Sequence, residues 1–153
     1  AKTVAEYPEV LGTHDMMIHT YGANVTIASF HVEVDRMGDV MKLHDMIDGI
    51  ERRLFEEHQI LCTVHMDPVV TDDIRISEMR ARVQAIVNEI DNRLTIHDFR
   101  FVEGPTHTNL IFDVVVPFNY AHKEMLQAEI QRRLQMVNPH LYVVLTIEHG
   151  QTS

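Results

Sequence analysis

Hydrophobic and polar positions alternate along residues 25–34: Ala28, Phe30, Val32 and Val34 fall on one side, and Ser29, His31 and Glu33 on the other. Period-two alternation predicts a strand with one buried and one wet face. Between Asp39 and Glu57 the period changes, with Val40, Leu43, Ile47, Ile50 and Leu54 recurring at helical spacing behind a Gly38-Asp39 start, so an amphipathic helix follows. Alternation returns over residues 60–67. Ile60, Cys62, Val64 and Met66 share one face, and Leu61, Thr63, His65 and Asp67 the other. Cys62 therefore points inward as a small hydrophobe. The same succession recurs downstream. A helix over residues 77–94 carries the stripe Met79, Val83, Ile86, Ile90 and Leu94. Strands follow at "HDFRFV" and at residues 109–116, the latter with Leu110, Phe112, Val114 and Val116 inward; then come a helix over 121–137 and a closing strand over 141–148.

The two halves echo each other in sequence as well as in pattern. "LGTHDMMIH" (11–19) answers to "LTIHDFRFV" (94–102) and "GIERRL" (49–54) to "EIQRRL" (129–134). The offset is 83 residues at His14 and His97, 82 at Phe30 and Phe112, 80 at Ile50 and Ile130, and 83 again at Val64 and Ile147, so the drift is expected in loops. Two copies indicate a duplication rather than a stacked array. The expected class is α+β: two tandem ferredoxin-like α-β-β-α-β units, residues 1–70 and 71–153, with Val69 to Asp73 as the short connection. The first unit lacks most of its leading helix, since "AKTVAEYPEV" reads as a helix end entering a turn.

Charge and composition narrow the partners. With 13 Lys and Arg against 23 Asp and Glu, the net charge is −10, which disfavours a nucleic-acid backbone and favours cations or basic partners. One cysteine makes no internal disulfide, so nothing demands an oxidising compartment. No run of about 18 apolar residues spans a bilayer.

Eleven histidines is a high count for 153 residues, and position decides what it means. The first unit sets His31 on the wet face of one strand and His65 with Asp67 on the wet face of another. His14 stands in "THDM" at the start of the hairpin, and His44 beside the apolar stripe of the helix. Zinc-like cations take about four N, S or O ligands, and five such ligands hold two cations if one carboxylate bridges. Glu33, Asp35, Asp45 and Asp48 are nearby candidates for orienting the imidazoles. Against this stands the plainer reading, in which each histidine is a solvated or capping residue. That reading is adopted for His58, His107 and His140, which fall in turns or at helix ends. In the second unit His97 keeps the place of His14, while Asp113 replaces His31 and Glu124 falls near His44. Glu148 replaces His65, and Gly150 falls where Asp67 was. That predicts either an oxygen-rich site of His97, Asp113 and Glu148, joined by His149 or His122, or no tight site; the second is preferred.

"GTHDMMIHTYG", "ASFHVEVD", "KLHDMIDGIERRL" and "TVHMDP", in this order over residues 8–68, resemble the C-terminal cytoplasmic domain of the cation diffusion facilitator (cation-efflux) transporters. The resemblance implies a soluble regulatory domain at the cytoplasmic face of the cell membrane, working with the transmembrane domain of the same full-length protein. It implies pairing as a homodimer, with zinc-like cations driving a closure that controls transport. The family's metal ligands fall on His14, His31, His44, His65 and Asp67. Zinc is the first choice of metal, with cobalt, nickel, iron and manganese open. No enzyme is expected, since "HExxH" is absent and no general base stands by an open coordination position. The rival reading is a metal-independent ferredoxin-like interaction or dimerisation module.

Overall fold

The computed structural model describes residues 2–150, and the chain divides between Val69 and Val70 into two units, each with its own core. In the first, β1 (Gly12–Tyr21) pairs antiparallel with β2 (Val25–Asp35), and β2 pairs in parallel with β3 (Ile60–Val69). A parallel pair needs a crossover, which is α2 (Val40–His58); a single turn, α1 (Lys2–Ala5), precedes the sheet. The second unit runs α3 (Asp73–Ile90), β4 (Thr95–Glu103), β5 (Thr108–Val116), α4 (Lys123–Val137) and β6 (Leu141–His149). Its sheet again has the middle strand of the sequence at its centre, antiparallel to β4 and parallel to β6. Both units are therefore α-β-β-α-β layers of ferredoxin-like α+β type. No helix among the described residues is long and apolar enough to cross a membrane.

The alternation read in β2 is the core. Ala28, Phe30, Val32 and Val34 are buried and meet Leu43, Met46, Ile47, Ile50 and Leu54 of α2. Cys62 joins them from β3. Val40 does not: it is 65% exposed because it is the first residue after the Asp39 cap, before the turn that packs on the sheet, and Met46 completes the stripe instead. The Asp39 carboxylate accepts from the Met41 and Lys42 amides at 3.0 and 3.3 Å, as an N-cap does.

In the second unit α3 starts earlier and stops earlier than its apolar spacing predicts. Asp72 caps it by accepting from Ile74 and Arg75. It ends at Ile90 because the Asp91 carboxylate accepts the Arg93 amide at 2.9 Å, a local turn that competes with another helical bond. Leu94 still reaches the core from beyond the helix, fully buried, with Val83 and Val87. α4 begins at Lys123, two residues later than expected.

One irregularity is common to both sheets. The pairing register shifts between His14 and Met17 in β1 and between His97 and Arg100 in β4, and the residue after each histidine is left-handed, Asp15 at φ 52° and Asp98 at φ 53°. These are β-bulges, and aspartate is one of the few side chains that takes this conformation readily. The repeated "HD" is thus a backbone signature first. It turns each edge strand immediately after its histidine.

Candidate metal centre

Strand register builds the site. His14 of β1 lies opposite His31 of β2, and His31 opposite His65 of β3, so three imidazoles form a row across the sheet face that α2 does not cover. The rings stack in sequence, His14 on His31 at 4.8 Å and His31 on His65 at 5.0 Å between centroids. The next row on this face is Gly12, Glu33 and Asp67, which sets two carboxylates beside the imidazoles.

His14 is the hub. Its Nδ1 lies 2.8 Å from Glu33 Oε2 and its Nε2 2.9 Å from Asp67 Oδ2; the same Asp67 oxygen lies 3.1 Å from His31 Nδ1. Carboxylate oxygens only accept, so both nitrogens of His14 donate and the ring is an imidazolium. Burial opposes that charge, but the bonds to Asp67 and Glu33 and their negative charge outweigh it, and the pKa rises from 6.5 to about 9. Asp67 answers in the opposite direction. Burial raises its pKa, yet the two histidines win and hold it below the usual carboxylate value.

His14, His31 and Asp67 each offer a ligand atom, all within 4.8 Å of one another, and they are the group of this kind found among the described residues. Bonds of about 2 Å to zinc place ligand atoms roughly 3.3 Å apart. The three groups would have to draw closer than their present spacing, which runs up to 4.8 Å, to hold such an ion together. His65 stands at the exposed end of the row, in ring contact with His31 but outside the close group. His44 is not brought in. It is an exposed residue of α2, the helix on the opposite face, with Nδ1 3.7 Å from Asp48.

Two residues sharpen the sequence expectation. Glu33 alternates onto the wet face but is only 3% exposed, because His14 and its neighbours close over it. Gly12 carried no expectation, although its place two residues before His14 on the same strand is a usable signal: at this edge it lies directly opposite Glu33.

The second unit keeps the row but not the chemistry. His97 pairs with Asp113, and Asp113 with Thr146; Glu148 lies opposite Val115 in the next row. Thr146, rather than Glu148, therefore takes the place of His65, and Glu148, rather than Gly150, that of Asp67. Burial, a bond to Asp98 and the charges of Glu148 and Asp98 lift Asp113 to about 6, against the lowering effect of Arg100. Where the first unit has the His31 imidazole, the second thus has a carboxyl that resists ionising, and His97 is exposed.

Residues 1–69 match the family model described as cation efflux protein, cytoplasmic domain, and these are the bounds of the first unit. No curated protein matches the chain.

Proposed function

We propose, from the match of residues 1–69 to the family model for the cation efflux protein cytoplasmic domain, that the first unit is a zinc-type cation sensor whose loading closes a homodimer and so controls transport by the membrane domain. The observation that carries the reading is that His14 Nε2 and His31 Nδ1 approach the same Asp67 oxygen on an otherwise open sheet face, with one ligand atom of each residue within 4.8 Å of the others. Two imidazoles and a carboxylate suit zinc and its borderline neighbours better than magnesium or calcium. His65 completes the set from the end of the row. His44 enters from elsewhere, since α2 presents it on the other side of its own unit; a second copy is the donor that closure requires.

The same sheet face continues past the imidazoles into exposed apolar side chains. Ile27 and Leu61 sit side by side in register, with Val25 and Tyr21 in the next row, a surface on which a second copy packs once the cations draw the sites together. A ligand shifts such an equilibrium only by binding one arrangement better than the other, and a ligand shared between copies has that property by construction. The second unit is a degenerate copy without a tight site. The role is one of binding and regulation, without catalysis.

Calorimetry with zinc, run alongside sedimentation of the same samples, tests this. Binding at micromolar or tighter is expected, with zinc-dependent association, and a His65→Ala, Asp67→Ala double variant losing about 100-fold or more in affinity. His44→Ala is expected to keep zinc uptake at the His14 cluster and to lose the association. Millimolar binding, or binding indifferent to the double substitution, would leave the metal-independent module in its place.

A further inference from the structure

Of the described residues, Glu33 is the charged side chain buried most deeply, at 3% exposure in the central strand between the fully buried Val32 and Val34. A carboxylate that far from water needs a strong partner, and the one facing the site is His14 Nδ1 at 2.8 Å. The opposite nitrogen, Nε2, lies 2.9 Å from Asp67 Oδ2, the same oxygen that His31 Nδ1 approaches at 3.1 Å. The backbone at Gly12 makes room for this arrangement: a Cβ there would stand 3.3 Å from Glu33 Cδ and from both carboxylate oxygens, closer than side chains ordinarily sit.

Resting on the metal reading above, we propose that Glu33 is a positioning residue, holding the proton of the cation-bound His14 on Nδ1 so that Nε2 is the nitrogen presented to the cation, and that Gly12 is the notch which admits it. Imidazole offers two chemically similar nitrogens, and which one ligates is set by the hydrogen bond made by the other. His14 has little freedom to choose. Flipping its ring would point Nε2 into a buried carboxylate and carry Nδ1, on a differently placed vertex, toward the ligands. Glu33 thereby fixes both the tautomer and the ring angle, while remaining outside the ligand set.

The test uses the whole chain, labelled with 15N-histidine and loaded with zinc, followed by long-range 1H–15N correlation and by zinc competition titration. Wild-type His14 is expected to show a protonated Nδ1 and a ligating Nε2. Glu33→Ala should weaken zinc binding by about 10- to 100-fold and lose the single ring pattern. Glu33→Gln, whose amide oxygen still accepts from Nδ1, should keep the pattern and stay within about threefold of wild type. Gly12→Ala should reproduce the loss with Glu33 still present, which keeps the inference testable if the Ala variant at residue 33 fails to fold. The assignment is overturned if wild-type His14 ligates through Nδ1, if Glu33→Ala keeps both pattern and affinity, or if Glu33→Gln falls as far as Glu33→Ala, which would make Glu33 a ligand. A wild-type chain that takes up no zinc would bring down the metal reading and this assignment together; normal zinc uptake by Glu33→Ala would strike this assignment alone.

Discussion

His14 sets the pH behaviour of the site. In an unfolded chain it titrates near 6.5, and in the fold near 9, so its two ion pairs contribute their full stabilisation below about 6.5 and lose it as pH rises through 9. A cation arriving at Nε2 must displace the proton that Asp67 now accepts. Loading near pH 7.5 should therefore release about one proton, and zinc affinity should rise about tenfold per pH unit toward 9. Calorimetry in buffers of different ionisation enthalpy counts that proton, and a His14→Gln variant should release none from this position. From residue type alone, competition would be confined to pH values near 6. The window moves upward because two carboxylates from other strands converge on one ring, a fact of register that no local pattern contains. The faces of His31, His65 and Asp67, by contrast, were legible, since alternation on a strand decides them.

At the scale of elements, what looks like a ligand motif is partly a folding device. Asp15 and Asp98 both occupy the left-handed conformation of a bulge, so "HD" recurs in the second unit although His97 there faces a reluctant carboxyl instead of an imidazole. Replacing Asp15 with glycine should leave stability nearly unchanged, whereas valine should cost roughly 1–2 kcal/mol, read by urea denaturation. The offset between the units falls by one residue per strand, 83 at His14 and His97, 82 at His31 and Asp113, and 81 at Asp67 and Glu148. Matching Val64 to Ile147 overshoots by two. A two-residue slip leaves every side chain on its proper face, so the core pattern gives no warning of it; only the ladder pairing does. Helix ends were legible where a cap is local, as at Asp39, and illegible at Ile90, where the apolar stripe runs on to Leu94 after the backbone has turned away.

For the molecule as a whole, two cores of matching design give a test of where a cation acts. Ile50 and Ile130 are both fully buried, at the centres of α2 and α4. Truncation of either to alanine should destabilise its own unit by about 2–5 kcal/mol. On the proposed reading zinc would bind the folded first unit alone, so saturating zinc should restore stability to Ile50→Ala and leave Ile130→Ala unrelieved. Thermal melts with unit-resolved NMR signals distinguish the two. Equal rescue of both would place a cation in the second unit as well. Tandem organisation was legible from the doubled pattern, because each half repeats the strand and helix periods in the same order.

β2 serves two masters. Its even-numbered residues from Ala28 to Val34 fill the core, and its odd-numbered His31 and Glu33 form the floor of the ligand cluster. One rigid beam thus carries both. Tightening the ligands cannot be a purely superficial event, because the strand that would yield to it is clamped from behind by α2, and a clamped strand passes strain along its length instead of absorbing it. On the proposed reading the first unit would answer a bound cation as a stiff lever, because the strand that carries His31 and Glu33 is also the strand that carries the core.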